Sequence, residues 1–121
     1  MATHNQLGHK GEEIATNYLI KNGYQILEKN WRFKKAEIDI IAKKNSTIIA
    51  VEVKTRTSNY FGNPQDFVNK KKIKLLVEAM DQYILSKNLD VEVRFDIIAI
   101  IENKNQTKIE HLEDAFLYFN L

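Results

Sequence analysis

The chain has 121 residues, no cysteine, a formal charge of +2, and 44% hydrophobic against 28% charged residues. That is one domain's worth of sequence with enough apolar content for a core, and it excludes disulfides, zinc–thiolate sites and thiol catalysis. The balance is mildly basic, too weak to imply a nucleic-acid partner by charge alone. The opening residues Met1 to Gln6 show no charged start followed by an apolar run, and no stretch is long enough to span a membrane. The expectation is therefore a single cytoplasmic domain over residues 1–121 with no membrane partner. Any metal ion would have to be held by oxygen ligands or by His4, His9 and His111. No spacing links the three histidines, which favours surface or structural roles for them.

Residues 5–22 read as a first helix. Leu7, Gly11, Ile14, Ala15, Tyr18 and Leu19 recur at helical spacing, and Asn22-Gly23 is a stop. Residues 24–30 read as a strand, and residues 36–43 and 47–55 as two β-branched strands joined in a hairpin by Lys44-Asn45-Ser46. Residues 57–63 form a polar loop carrying Tyr60 and Phe61. Asn63-Pro64 predicts the start of a long helix, with Asn as the cap and Pro at the first helical position. It runs to about Lys87, with Ile73, Leu76, Val77, Met80, Tyr83 and Ile84 as its buried stripe. Residues 93–101 are almost continuously apolar, the mark of a strand buried on both faces. After a turn at 103–106, residues 108–112 predict a short strand and 113–119 a last helical turn or two. A crossover helix between the third and fourth strands favours a parallel pair there, whereas the hairpin is antiparallel. The class is α/β, a mixed sheet with helices on its faces.

The chemistry concentrates on the hairpin. Side chains on a strand alternate between faces. Glu37 and Asp39 therefore share one face of the second strand, with Ile38 and Ile40 on the other. Glu52 and Lys54 share one face of the third, with Ile49, Val51 and Val53 opposite. The two polar pairs can meet across the ladder. Each acid is flanked by Ile or Val in what reads as mid-sheet, where clustered carboxylates repel and burial raises the cost. Lys54 and a divalent cation are the two ways to relieve this, and hard cations such as Mg²⁺ take carboxylate oxygens. The competing reading is a cross-strand salt bridge on a wetted sheet face. Glu12, on the first helix, shares a face with Gly8, Ala15 and Leu19, whereas Glu13 sits on the solvent side with Lys10, Asn17 and Lys21. Gly8 and Gly11 each cost roughly 1 kcal/mol of helix stability, so close approach of the helix to a backbone or ligand would explain them. The alternative for Glu12 is a dipole-favoured acid in a frayed first turn.

Gly8-x-x-Gly11-Glu12-x-x-Ala15, Tyr18-Leu19, Gly23-Tyr24, Asn30, Glu37-Ile-Asp39-Ile-Ile, Val51-Glu52-Val-Lys54-x-Arg56, Phe61-Gly62, Lys71, Arg94-Phe-Asp96 and Ala115-Phe116 together resemble the YraN family. The resemblance covers almost the whole chain in order; Ala36 departs from it, standing where the family usually has Gly. The family is endonuclease-related and similar to archaeal Holliday-junction resolvases of the PD-(D/E)xK superfamily. The resemblance implies a restriction endonuclease-like, three-layer α/β/α fold with a central mixed sheet. It also implies a site in which Asp39 and Glu52 bind Mg²⁺ or Mn²⁺, Glu12 completes the metal shell and Lys54 is the lysine of the motif.

Under that reading the metal polarises a phosphodiester and activates water, and Lys54 orients the water or stabilises growing charge. Glu37 supports the site or pairs with a nearby cation. Arg32, Lys35, Arg56, Lys70, Lys71 and Lys74, with Lys34 and Lys72 beside them, would contact nucleic-acid phosphates. A lysine run on a helix can equally be a solvated face. Tyr60 and Phe61 could stack on unpaired bases or plug a core edge. Asp96 follows Arg94 on one strand face and can pair with it. The expected function is a metal-dependent endonuclease acting on DNA, with a homodimer implied by resemblance. The rivals are a non-catalytic nucleic-acid-binding module of the same fold and a protein-interaction domain with an acidic patch.

Overall fold

The computed structural model of the chain describes residues 4–57, 69–102 and 106–115, with side chains from residue 8 onward except that of Thr57. Helix α1 (His4–Lys21) leads into strands β1 (Gln25–Phe33), β2 (Ala36–Lys44) and β3 (Thr47–Thr57). Helix α2 (Lys70–Lys87) and strands β4 (Glu92–Glu102) and β5 (Thr107–Leu112) follow. Among the described residues no helix is long and apolar enough to cross a membrane.

Both helices end where a residue can adopt the left-handed conformation. Gly23 takes φ 89° after α1. Its N–H donates to the Ile20 carbonyl at 3.1 Å, and the Tyr24 N–H donates to that of Leu19 at 2.9 Å. This pair of bonds satisfies carbonyls that a helix end leaves open. Asn88 does the same for α2 at φ 51° and ψ 50°. The start of α2 differs from the expectation at Asn63-Pro64. Asn69 is extended (φ −123°, ψ 172°), and its side chain accepts the Lys72 N–H at 2.8 Å. A continuous helix from residue 63 to 87 is therefore excluded: a second Asn, six positions on, is the cap. Residue 63 itself, Tyr60, Phe61 and residues 116–119 of the expected last helix lie outside the described residues.

The five strands form one sheet in the order β1-β2-β3-β4-β5. Neighbours are antiparallel except β3 and β4, which run parallel in register from Thr47↔Glu92 to Thr57↔Glu102. That parallel pair is what a helical crossover predicts. Ala15 and Leu19 of α1 pack with Ile40, Ile49, Val51, Ile98 and Ile100. Ile73, Leu76, Met80 and Tyr83 of α2 pack with Ile38, Ile41, Ile48, Phe95 and Ile97. The helices thus cover opposite faces, and β4 is buried from Phe95 to Ile100 because both cover it. Val77 and Ile84, placed on the α2 stripe from sequence, are only partly buried, and Ala79 takes a core position instead.

One buried polar cluster ties these layers together. Asp96 accepts two bonds from Arg94, at 2.9 Å each, and one from the Asp114 N–H at 3.0 Å. His111 Nε2 lies 2.7 Å from its other oxygen side. An ionised carboxylate only accepts, so Nε2 carries the proton, and in the neutral ring Nδ1 accepts from the Tyr18 hydroxyl at 2.9 Å. Burial pushes the Asp96 carboxyl up, but the bonds from His111, Arg94 and Asp114 outweigh it and hold the group below the usual carboxylate range. Asp96 is thus paired with Arg94 and His111 is structural, as the sequence suggested.

Strict alternation fails in β2, besides the register shift between Ile26 and Glu28 of β1. Ile38 joins the α2-side core and Ile40 the α1-side core, although residues two apart in a regular strand share a face. The expectation that they point the same way is corrected here. Across the ladder, Lys29 pairs with Ile40 and Trp31 with Ile38, and Asn30 between them adopts φ 52°. Both strands turn over at Asn30 and Asp39. Pairing between β2 and β3 stops at the same level, at Ile40↔Val51.

Candidate functional site

A cavity of about 380 Å³ opens where β2 and β3 part, lined by Gly8, Glu12, Lys35, Glu37, Asp39, Glu52, Lys54, Thr55, Arg56 and Lys72. The acids arrive from three elements: Glu12 from α1, Glu37 and Asp39 from β2, and Glu52 from β3. Glu12 comes from α1, which can approach β3 closely because Gly11 has no Cβ: one built there would overlap the Thr55 hydroxyl. Gly8 meets nothing at its Cβ position and is simply a wall of the cavity. Asp39 comes from the turnover in β2. Glu52 and Lys54 come from the part of β3 that has left β2 but still pairs with β4, and Lys72 from the first turn of α2.

Asp39 Oδ2 accepts the Val53 N–H at 2.8 Å. A side chain therefore takes the donor that strand pairing leaves open, and this fixes the carboxylate between the strands. Burial pushes the Asp39 carboxyl up to about 7, and the charges of Glu52 and Glu12 add to this. The Val53 bond and Lys72 offset it only in part.

Glu52 is 5% exposed. Its Oε1 meets Lys72 Nζ at 2.5 Å and Lys54 Nζ at 3.4 Å. The sequence offers Lys54 and a divalent cation as countercharges; among the side chains the nearer cation is Lys72. Burial would pull the Lys72 ammonium down, but its contacts with Glu52 raise it, so it stays charged. A signal existed: Lys72 lies four residues before Leu76 and eight before Met80, on the buried stripe of α2 rather than its solvated face.

Glu37 lines the cavity and pairs with Arg32 at 2.6 Å across the β1–β2 ladder. Its carboxylate is turned toward that partner, which is the pairing with a nearby cation that the sequence offered as one of two readings. Asn30 completes this corner. With its carboxamide nitrogen facing the acids, it donates to Glu12 Oε1 at 3.0 Å and to Glu37 Oε1 at 3.1 Å. Sequence spacing gave Asn30 no role; Asn being one of the few residues that tolerate left-handed backbone was the available hint.

The other predicted basic residues divide. Lys35 and Arg56 line the cavity with Lys54. Lys70, Lys71 and Lys74 are exposed at the start of α2. His9 is exposed and lies beside Glu12 on a neighbouring surface hollow.

Among the described residues no three His, Asp or Glu side chains converge closely enough to hold an ion as they stand. The donor set still fits a hard divalent cation by its chemistry. It consists of carboxylate oxygens only, and Asp39 and Glu52 repel each other in a partly buried site. Asp39, Glu52 and Glu12 are the residues that would hold such an ion.

The sequence profile of the uncharacterised protein family UPF0102 matches residues 11–100. The chain is 62% identical to a UPF0102 protein of Christiangramia forsetii, over 98% of this chain and all of the relative. It is 56% identical to a UPF0102 protein of Flavobacterium psychrophilum, again over 98% of this chain and all of the relative. A UPF0102 protein of Phocaeicola vulgatus is 46% identical over 96% of both chains.

Proposed function

The chain belongs to the uncharacterised protein family UPF0102, and on that premise we propose that it is a metal-dependent endonuclease of the restriction endonuclease-like fold, acting on DNA. The observation that carries this reading is the pairing of Asp39, pushed up to about 7, with a buried Glu52 held by two lysines in one open cavity. A pure phosphate-binding surface gains nothing from acids that repel its ligand.

In this mechanism Asp39, Glu52 and Glu12 would hold Mg²⁺ or Mn²⁺, which when bound would supply Lewis acidity and a water of lowered pKa. The Val53 N–H keeps one oxygen of Asp39 fixed at the cavity wall. Lys54 stands on the same strand face as Glu52, where its ammonium orients a nucleophilic water or stabilises charge on the phosphate. Lys72 neutralises Glu52. Asn30 holds the Glu12 carboxylate in place, and Lys35 and Arg56 at the rim receive flanking phosphates.

The test is nicking of a supercoiled plasmid and of a branched DNA in Mg²⁺ or Mn²⁺, with calorimetric Mn²⁺ titration alongside. Activity that vanishes in Asp39→Ala and Glu52→Ala supports the reading. If no metal binds and neither change affects anything but stability, the endonuclease reading is abandoned.

A second reading draws on the short Lys72–Glu52 ion pair. It leaves Glu52 neutralised by protein alone, as in a nucleic-acid-binding module without catalysis. DNA binding that persists without divalent cations, with no nicking under any metal, would select it.

A further inference from the structure

The acidic cavity does not end at its own rim. Two further hollows, of about 310 and 410 Å³, continue from it between the β1–β2 turn and α2. Lys35 lines all three, Glu37 and Lys72 line the first two, and Ala36 and Leu75 line the last two. The hollows therefore form one groove. Its floor is apolar, made by Ala36, Leu75 and, at the far end, a half-buried Phe33. Its rim is cationic: Lys35 on one side and Lys71 on the other are both exposed. Lys34 closes the far end, paired with Glu78 at 3.2 Å and lying 5.2 Å from the Phe33 ring centre.

We infer that this groove binds one unpaired strand of nucleic acid and leads it to the acidic cavity. The inference deepens the proposed function and rests on its nucleic-acid reading. Charge complementarity selects the ligand class, since Lys34, Lys35, Lys71 and Lys72 line the two outer hollows against Glu37 and Glu78, which pair with Arg32 and Lys34. The apolar floor selects the strandedness. A duplex keeps its base faces stacked inside and would meet only the lysines. An unpaired strand offers phosphates to the rim and base faces to Phe33 and Leu75, and such stacking is the usual source of sequence-tolerant single-strand affinity. The size agrees. Lys71 to Ala79 spans roughly 12 Å of helix, the length of about three or four phosphates in a stacked strand. The substrate class is then a junction, flap or gap whose unpaired arm lies in the groove, not a continuous duplex.

The experiment is fluorescence anisotropy on the whole protein without divalent cations. The probes are a labelled oligothymidylate of about ten nucleotides and a blunt duplex of equal length. We expect the single strand to bind about tenfold more tightly. Leu75→Glu should cut single-strand affinity about tenfold while leaving duplex affinity within about twofold. Lys35→Ala and Lys71→Ala, surface changes that spare the fold, should each lower the salt-dependence slope by about 0.7. Equal affinity for both probes, or an unchanged single strand in Leu75→Glu, overturns the groove. Binding of neither probe overturns it together with the nucleic-acid reading. Groove-dependent binding with no nicking under Mg²⁺ or Mn²⁺ would sink the endonuclease reading and leave the groove standing.

Discussion

The Val53 N–H donates to the Asp39 carboxylate at 2.8 Å, at the level where the β2–β3 ladder has already ended. A side chain thus finishes what the backbone leaves unpaired, and the acid sits where a strand residue would otherwise be. An acid held from 3.8 up to about 7 binds its proton more tightly when folded. It favours the fold at low pH and works against it as pH rises through that window. The cost of the ionised form is on the order of 4 kcal/mol at most. Asp39→Asn keeps an oxygen for Val53 and removes the charge. Thermal melts should show the variant close to the parent at pH 5 and more stable at pH 8, with saturating Mn²⁺ narrowing the gap. A constant difference across pH would show that the carboxyl does not titrate there.

Asp96 carries the opposite sign. Its carboxyl is held low by His111, Arg94 and the Asp114 N–H against the pull of burial. Its contribution is present above the unfolded carboxylate value and is lost as pH falls through the folded one. Asp96→Ala leaves Arg94 without its main partner and should cost about 3–5 kcal/mol by urea denaturation at pH 7. That loss should shrink toward pH 3. Because Asp96 lies outside the acidic cavity, Mn²⁺ affinity of the folded variant should not move.

Gly11→Val tests the approach of α1 to β3. A side chain there meets Thr55, and overpacking of this kind costs about 1–3 kcal/mol. Since Glu12 is the next residue, the same change should weaken Mn²⁺ binding. Pairing it with Thr55→Gly should restore both stability and metal affinity. Failure of that rescue would place the effect elsewhere.

Lys72 and Glu52 should behave as a coupled pair. A double-mutant cycle with Lys72→Met and Glu52→Gln isolates their interaction, which we expect to exceed about 1 kcal/mol at pH 7. Lys72 is 37% exposed on its side chain, so the coupling falls short of a fully buried pair. A cycle closing to zero would leave Lys54 as the effective countercharge.

Asn69→Ala removes the acceptor for the Lys72 N–H and should lower stability by about 1 kcal/mol.

Much of this protein was legible in its sequence because it depends on local rules. Helical spacing found α1, and β-branched runs around Asn45 found the hairpin. A helix lying between two strands predicted their parallel pairing. Asp39, Glu52 and Lys54 were recognisable as acids and a lysine out of place among Ile and Val, Glu12 was singled out by the family resemblance, and all four line one cavity. Tertiary structure alone decided the rest. The turnover at Asn30 and Asp39 sends Ile38 and Ile40 to opposite faces at the level where β2 parts from β3, a break in alternation that no local pattern marks. The choice of Lys72 over Lys54 as the nearer partner of Glu52 follows from where α2 crosses the sheet. The groove beside it exists only because α2 and the β1–β2 turn, far apart in the chain, stand side by side. Periodicity reports which face a residue occupies along its own element. It carries no information on which face of another element will lie across from it, and the countercharges and cavities of this site are set by that second choice.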